Sequence, residues 1–268
     1  MAVSALYSAA TGMQAMDTKL DVIAHNLANT NTNGFKSSRI NFEDLLYEER
    51  RQPGALNSLG QQTPTGLFVG LGTKVSNTQL NFSDGSLENT GRPLDLAIGG
   101  QGFFKVQTFD GIGAGEAYSR AGNFITDLEG NMVLGTADGF LLDPPINFPP
   151  GTDTESITIQ SDGTISANVE GTEQEIGQLE LHRFPNPHGL RQEGGNLYTE
   201  TEASGSPIQG QPAEAGFGRI TQNYLEASNV DPIKELIGMI RTQRNFELNS
   251  QVIRTIDETM QNIGQLRR

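Results

Sequence analysis

Apolar positions follow three different periods along the chain. Leu6, Met13, Met16, Leu20, Ile23 and Leu27 are separated by 7, 3, 4, 3 and 4 residues. That is the a/d spacing of a coiled-coil seam, with small Ala9, Ala10 and Ala24 nearby. No proline interrupts residues 4–29, and Ser4 is a candidate N-cap, so a helix is predicted there. Asn29, Asn31, Asn33 and Gly34 then supply residue types that tolerate left-handed backbone and stop helices. The last stretch mirrors the first. Asp231-Pro232 offers an N-cap followed by proline at the first helical position, where a missing N–H costs nothing. Apolar residues follow at helical spacing: Ile233, Leu236, Ile237, Ile240, Phe246, Val252, Ile253, Ile256, Met260 and Ile263. Gly238 and Gly264 each weaken that helix by about 1 kcal/mol relative to alanine. Polar Thr242-Gln243-Arg244-Asn245 thins its stripe, yet the helical period survives both.

Between these ends the period becomes two. Leu94, Leu96 and Ile98 alternate, as do Ile157 and Ile159, then Ile165, Ala167 and Val169, then Leu179 and Leu181. Asp-Gly pairs begin at Asp84, Asp110, Asp138 and Asp162, where hairpin turns would fall. Residues 75–225 therefore read as an all-β domain, a bent sheet or irregular barrel-like sandwich. Residues 48–72 differ, holding Pro53, Gly54, Gly60, Pro64, Gly66, Gly70 and Gly72, and read as extended or loop-like. The class is α+β. Each terminal helix carries an apolar stripe that is marginal alone in water. The stripes can pack on each other, on the β domain, or on other copies of the chain.

Composition removes several function classes. The chain has 268 residues and no cysteine, which excludes disulfides, thiolate metal sites and cysteine nucleophiles. A net charge of −14 repels a phosphate backbone, so nucleic-acid binding is not expected. No apolar run approaches the ~18 residues of a membrane span, so no membrane insertion is expected. The first basic residue is Lys19, so no cleavable signal peptide is expected. Of the histidines, His182 and His188 straddle Pro-Asn-Pro without the i,i+4 spacing of a helical metal pair, and His25 sits beside the helical seam. Gly99-Gly100-Gln101-Gly102 leads into a strand pattern rather than a helix, so it is no dinucleotide loop. No nucleophile elbow or phosphate loop is present. The expectation is a non-enzyme with no cofactor, no catalytic residue and no metal.

Asn26-Leu27-Ala28-Asn29-Thr30-Asn31-Thr32-Asn33-Gly34-Phe35-Lys36 is the most specific string in the chain. It resembles the signature of the flagellar rod and hook family of axial proteins, which carries N-L-A-N and then T-x-G-F-K at the end of an N-terminal helix. Further strings are similar to that family: Ile98–Phe104, Tyr118–Gly122, Gly195–Thr201 and Glu226–Val230, so the resemblance covers essentially the whole chain. Phe42–Tyr47 and Arg51-Gln52-Pro53-Gly54-Ala55 resemble the stretch that marks distal-rod subunits. Asp231-Pro232, His25 and Phe246 depart from the usual family residues.

The resemblance implies a four-part organisation. Residues 1–45 and 226–268 would pair as an inner coiled-coil domain, 46–74 would be a distal-rod-specific extended segment, and 75–225 the outer β domain. It implies a structural subunit of the distal rod that self-assembles into a rigid helical tube, transmitting torque to the hook in the basal body; the alternatives are a paralogous proximal-rod or hook-type axial protein, or a secreted peptidoglycan-processing or binding protein on the same scaffold. Partners would be further copies, proximal rod proteins, hook protein and the surrounding L and P ring proteins. Export would use the flagellar type III apparatus. The assembly seam would be Leu6, Met13, Met16, Leu20, Ile23, Leu27, Ile233, Leu236, Ile240, Ile253, Ile256, Met260 and Ile263. The signature residues are Asn26, Leu27, Ala28, Asn29, Asn33, Gly34, Phe35 and Lys36, and the rod-specific positions Tyr47, Arg51, Gln52, Pro53 and Gly54.

Overall fold

The computed structural model describes residues 2–54, 62, 64–109, 111–169 and 171–266. Ala55 and Gly60 of the Pro/Gly-rich segment, and Asp110 of one Asp-Gly pair, lie outside the described residues. The fold is α+β, with a helix at each end and a β-rich centre. The chain forms two compact units, one from residues 1–28, 38–79 and 231–268, the other from 29–37 and 80–230.

The first unit holds helix α1 (Ala2–Ala28), strands β1 (Ser38–Asp44), β2 (Tyr47–Arg51), β3 (Leu67–Gly70) and β4 (Thr73–Leu80), and helix α2 (Pro232–Leu266). β1 pairs with β4, and β2 with β3 in an antiparallel hairpin. Within the segment read as extended, residues 48–51 and 67–70 lie in these paired strands. α1 starts at Ala2, so Ser4 lies within the helix and is not its cap. The start of α2 follows the sequence reading. Asp231 Oδ1 accepts from the backbone N–H groups of Ile233 and Lys234 at 3.1 and 3.2 Å, satisfying donors that the first turn leaves free.

The two helices run antiparallel along each other. Asn26 donates to Glu235 at 3.1 Å, a Cβ on Gly238 would lie 3.6 Å from Ile23 Cδ1, and one on Gly12 would lie 3.1 Å from Asn249 Nδ2. Small side chains let the backbones approach: Ala9, Gly12 and Ala15 are buried in α1, and Thr242 in α2. The expected seam residues differ in burial within the chain. Ile23 is buried and Leu6, Met13, Met16, Leu20, Leu27, Ile253 and Ile256 are half-buried, but Ile233, Leu236, Ile240, Met260 and Ile263 are exposed. α1 contacts the Gly238–Asn249 face, because only small and polar residues permit so close a contact. The larger side chains are left on other faces of α2. Among the described residues no helix is long and apolar enough to cross a membrane.

The second unit is entirely β and loop. Its strands are β5 (Leu87–Asn89), β6 (Leu96–Gly99), β7 (Phe104–Gln107), β8 (Glu116–Ser119), β9 (Phe124–Thr126), β10 (Met132–Leu134) and β11 (Leu141–Asp143). They continue with β12 (Thr158–Ile159), β13 (Thr164–Val169), β14 (Thr172–Gln178), β15 (Leu181–Arg183), β16 (Arg191–Gly194) and β17 (Leu197–Thr199). The last are β18 (Ile208–Gly210), β19 (Arg219–Gln222) and β20 (Tyr224–Glu226). A seven-stranded sheet runs β16-β17-β8-β7-β11-β10-β9, and smaller sheets pair β12-β13-β14, β15-β18, β19-β6 and β20-β5. The main core includes Leu96, Phe104, Phe124, Leu134, Ile165 and Leu179. A second, aromatic cluster gathers Leu80, Phe103, Tyr118, Phe184, Leu190 and Tyr198. Tyr118 and Phe184 meet edge-to-face at 4.8 Å between ring centroids, a favoured aromatic geometry.

Candidate functional site

The signature string divides between the two units. Asn26 is buried at the end of α1, where its side-chain amide donates to Ser38 O at 2.9 Å and its Oδ1 accepts from Ser38 N at 2.9 Å. Leu27 is half-buried and Ala28, the last helical residue, is exposed. Residues 29–37 then belong to the β unit rather than to the helical one. Thr32 N–H bonds Asn29 O and Phe35 N–H bonds Thr32 O, both at 3.2 Å, which turns the chain sharply. Gly34 adopts φ 71°, a conformation glycine takes without steric cost. A Cβ there would lie 2.8 Å from the backbone of Arg120 and Ala121. Glycine is therefore required twice over, by dihedral and by space.

Lys36, next along, is fully buried. Its ammonium donates to Glu226 Oε1 at 2.6 Å and to Ser83 O at 2.9 Å. Glu226, also buried, accepts from Gly85 N–H at 2.8 Å, and its other oxygen lies 3.5 Å from Arg120. Arg120 is 3% exposed, donates to Gly100 O at 2.7 Å, and lies over the Phe103 ring at 5.2 Å. Asp84 stands 3.7 Å from Arg120 and is half-exposed. Two buried cations thus share one buried carboxylate. Burial lowers the Lys36 pKa and the Arg120 charge adds to that, against the opposing pull of Glu226.

Asn229 ties the same place together through its amide. Its Oδ1 accepts from Ser37 N–H at 2.7 Å, and its Nδ2 donates to Asn81 O at 2.7 Å and Ser83 O at 3.1 Å. Gly34 N–H donates to Glu226 O at 2.7 Å, Asn81 N–H to Ser37 O at 2.8 Å, and Asn196 Nδ2 to Asn33 O at 2.8 Å. Five strings far apart in sequence therefore meet in one junction, through Asn33–Ser37, Gly100, Arg120, Asn196 and Glu226–Asn229.

Sequence reasoning read the signature as a helix end with Phe35 returning to an apolar contact, and Phe35 is indeed buried. It did not single out Glu226, Arg120 or Asn229, although each lies within a string noted for its resemblance. A lone charge inside a short Gly/Ala/Ser string was the available signal. The junction presents no nucleophile beside a base. Among the described residues no group of three His, Cys, Asp or Glu side chains could hold a metal. What it can do is mechanical: it fastens three chain passages, 29–37, 80–85 and 226–230, by hydrogen bonds around one buried ion pair.

The rod-specific positions lie elsewhere. Tyr47 opens β2 and Arg51 closes it opposite Leu67, while Gln52, Pro53 and Gly54 follow in an exposed turn. The structure brings these five together as one strand and turn. The α2 positions form a second feature. Ile233 and Ile240 are 70% and 52% exposed, and Leu236, Leu248, Val252, Met260 and Ile263 are likewise open.

Comparison with known proteins places these regions. The family described as Flagella basal body rod protein matches residues 6–36. The Flagellar hook protein FlgE/F/G D1 domain matches 97–167, and the Flagellar basal body rod FlgEFG protein C-terminal family matches 221–266. The flagellar basal-body rod protein FlgG of Agrobacterium fabrum is 44% identical over 257 residues, 95% of each chain. That of Bacillus subtilis is 40% identical over 270 residues, covering 98% of each. The flagellar basal-body rod protein FlgF of Caulobacter vibrioides is 31% identical over 256 residues, 96% of this chain and 93% of the other.

Proposed function

Because the chain belongs to the flagellar basal-body rod proteins, we propose that it is the distal-rod subunit, assembling with further copies of itself into a rigid helical tube. Membership makes it a structural subunit of the rod, acting in the basal body together with other rod and hook components. The higher identity to FlgG than to FlgF supports the distal over the proximal position.

One observation carries self-assembly. One face of α2 is taken by α1, yet the helix keeps exposed isoleucine, leucine, methionine and valine on its remaining surface. Each such side chain yields about 1.5–3 kcal/mol when fully buried, so open stripes of this size mark an association surface. The terminal helices, as a coiled-coil pair, form the inner layer of the tube, with the β unit inserted between them as the outer layer. Ile233, Leu236, Ile240, Met260 and Ile263 form the seam between copies, and the α1 positions supply the contact within each copy. Proximal rod proteins meet one end of the tube, hook protein the other, and the L and P rings surround it, after type III export. Deleting the gene and imaging purified basal bodies tests the reading. A rod interrupted before the hook, restored by the intact chain, is expected. Complete rods with hooks in the deletion strain would refute it.

A further inference from the structure

The β unit carries a cleft of about 550 Å³ beside the buried junction. Phe82, Phe103, Phe184 and Ile208 give it apolar walls, and Arg120, Arg183 and Asp84 border it. Asp84 is already committed, standing 3.7 Å from Arg120. Arg183 lies over the Phe217 ring at 5.6 Å, and among the described residues it has no ion-pair partner. Arg120 is almost wholly buried, and its Nε has no hydrogen-bond partner. A buried donor without an acceptor is costly. The cleft therefore favours an occupant that joins an apolar side chain to a carboxylate.

The turn between β9 and β10 presents that pair at a different place on the same unit. This hairpin closes one edge of the seven-stranded sheet, and its tip residues do not line the cleft of their own chain. At the tip Leu128 is fully exposed, between exposed Asp127 and Glu129. Glu129 has no ion-pair partner among the described residues. Leucine adds nothing to a turn, whose conformation is carried by glycine, asparagine and aspartate. The turn itself is firmly built. Asp127 N–H donates to Asn131 O at 2.9 Å and Gly130 N–H to Asp127 O at 3.0 Å. From the neighbouring passage, Asn147 Nδ2 donates to Glu129 O at 3.0 Å and Phe148 N–H to Gly130 O at 2.8 Å. A knob braced in this way loses little freedom on docking.

We propose that the Leu128–Glu129 tip of one copy inserts into the Phe82–Phe103–Phe184 cleft of a second copy, with Glu129 meeting Arg183. The proposal rests on the rod-subunit reading and names a contact between β units. Leu128 leaves water for the aromatic walls, and the carboxylate neutralises a guanidinium that has no ion-pair partner in its own chain. Each β unit carries knob and cleft at separate places, so the contact is head-to-tail and repeats from copy to copy in an open row. Copies with a net charge of −14 repel one another, and a bare guanidinium in an apolar cleft selects where they meet.

The absence of cysteine makes the test direct, because any thiol cross-link between copies must come from introduced residues. Ile208 at the cleft rim is itself partly exposed. In cells supplying a mixture of Leu128→Cys and Ile208→Cys chains, rods treated with a short bis-maleimide should contain a mixed dimer, much stronger than in rods of either variant alone. Leu128→Asp changes a fully exposed side chain, so the monomer should fold as wild type while swimming falls. Glu129→Arg and Arg183→Glu should each reduce swimming, and the double variant should recover it. Rods that contain both cysteine chains but no mixed dimer would overturn the docking and leave the rod-subunit reading standing. Leu128→Asp and charge variants that all swim normally would do the same. A chain missing from purified rods would overturn both.

Discussion

Replacing Glu226 by alanine tests the junction most sharply. The carboxylate is 1% exposed and receives Lys36 at 2.6 Å, Gly85 N–H at 2.8 Å and Arg120 at 3.5 Å. Without it two buried cations face each other and a backbone donor loses its acceptor. Removing one partner of a buried ion pair costs about 3–5 kcal/mol, because the remaining charge is desolvated and unpaired. At 2–4 °C per kcal/mol for a domain of this size, Tm should fall by roughly 6–20 °C. Lys36→Met should cost less, since Glu226 then keeps Arg120 and Gly85. The double variant should fall short of the sum of the singles by about 0.5–3 kcal/mol, the signature of a shared network. Denaturant unfolding of the full chain, followed by circular dichroism, measures all three. A Glu226→Ala chain within about 0.5 kcal/mol of wild type, the range of ordinary surface changes, would refute the reasoning.

Gly34→Ala should cost at least about 1–2 kcal/mol for the left-handed backbone alone, with more from the Arg120–Ala121 contact, and urea midpoints would show it. His182 sets an acid limit on the β unit. Burial lowers its pKa, Lys105 adds to that, and Asp143 and Glu116 oppose it more weakly. The unfolded chain therefore takes up the proton first, so this contribution is complete above the ordinary value near 6.5 and is lost as pH falls from there toward the lowered folded value. Thermal melts from pH 7 to 4 should show a smaller acid loss for His182→Gln than for wild type; equal slopes would exclude the effect.

Much of the fold was legible in the sequence. Helical periods at both ends, the Asp231-Pro232 start of α2, and the two-residue alternation of the centre all correspond to observed elements. The helix contact was not legible, because a hydrophobic stripe marks where energy is available and not which neighbour takes it. α1 settled on Gly238, Thr242 and Asn249, residues that allow close approach but give no apolar signal. The hairpin was hidden for a related reason: Glu48, Glu49 and Arg50 are not strand-favouring residues, and pairing with Leu67–Gly70 overrides their propensity. The junction was half legible. The signature string was found, but its partners are scattered downstream from Asn81 to Asn229, and no local pattern announces a long-range ion pair.

The central claim, self-assembly through the bare face of α2, is tested most directly by electron microscopy of the concentrated full chain beside Ile240→Asp. Ile240 is 52% exposed, so the substitution should leave monomer stability within about 0.5 kcal/mol of wild type. In a seam between copies the same charge would be buried without a partner at every repeat. The account predicts straight tubes from wild type and none from the variant, with superimposable circular dichroism. Tubes of equal length and straightness from both, or a wild-type chain that stays monomeric at every concentration, would contradict it.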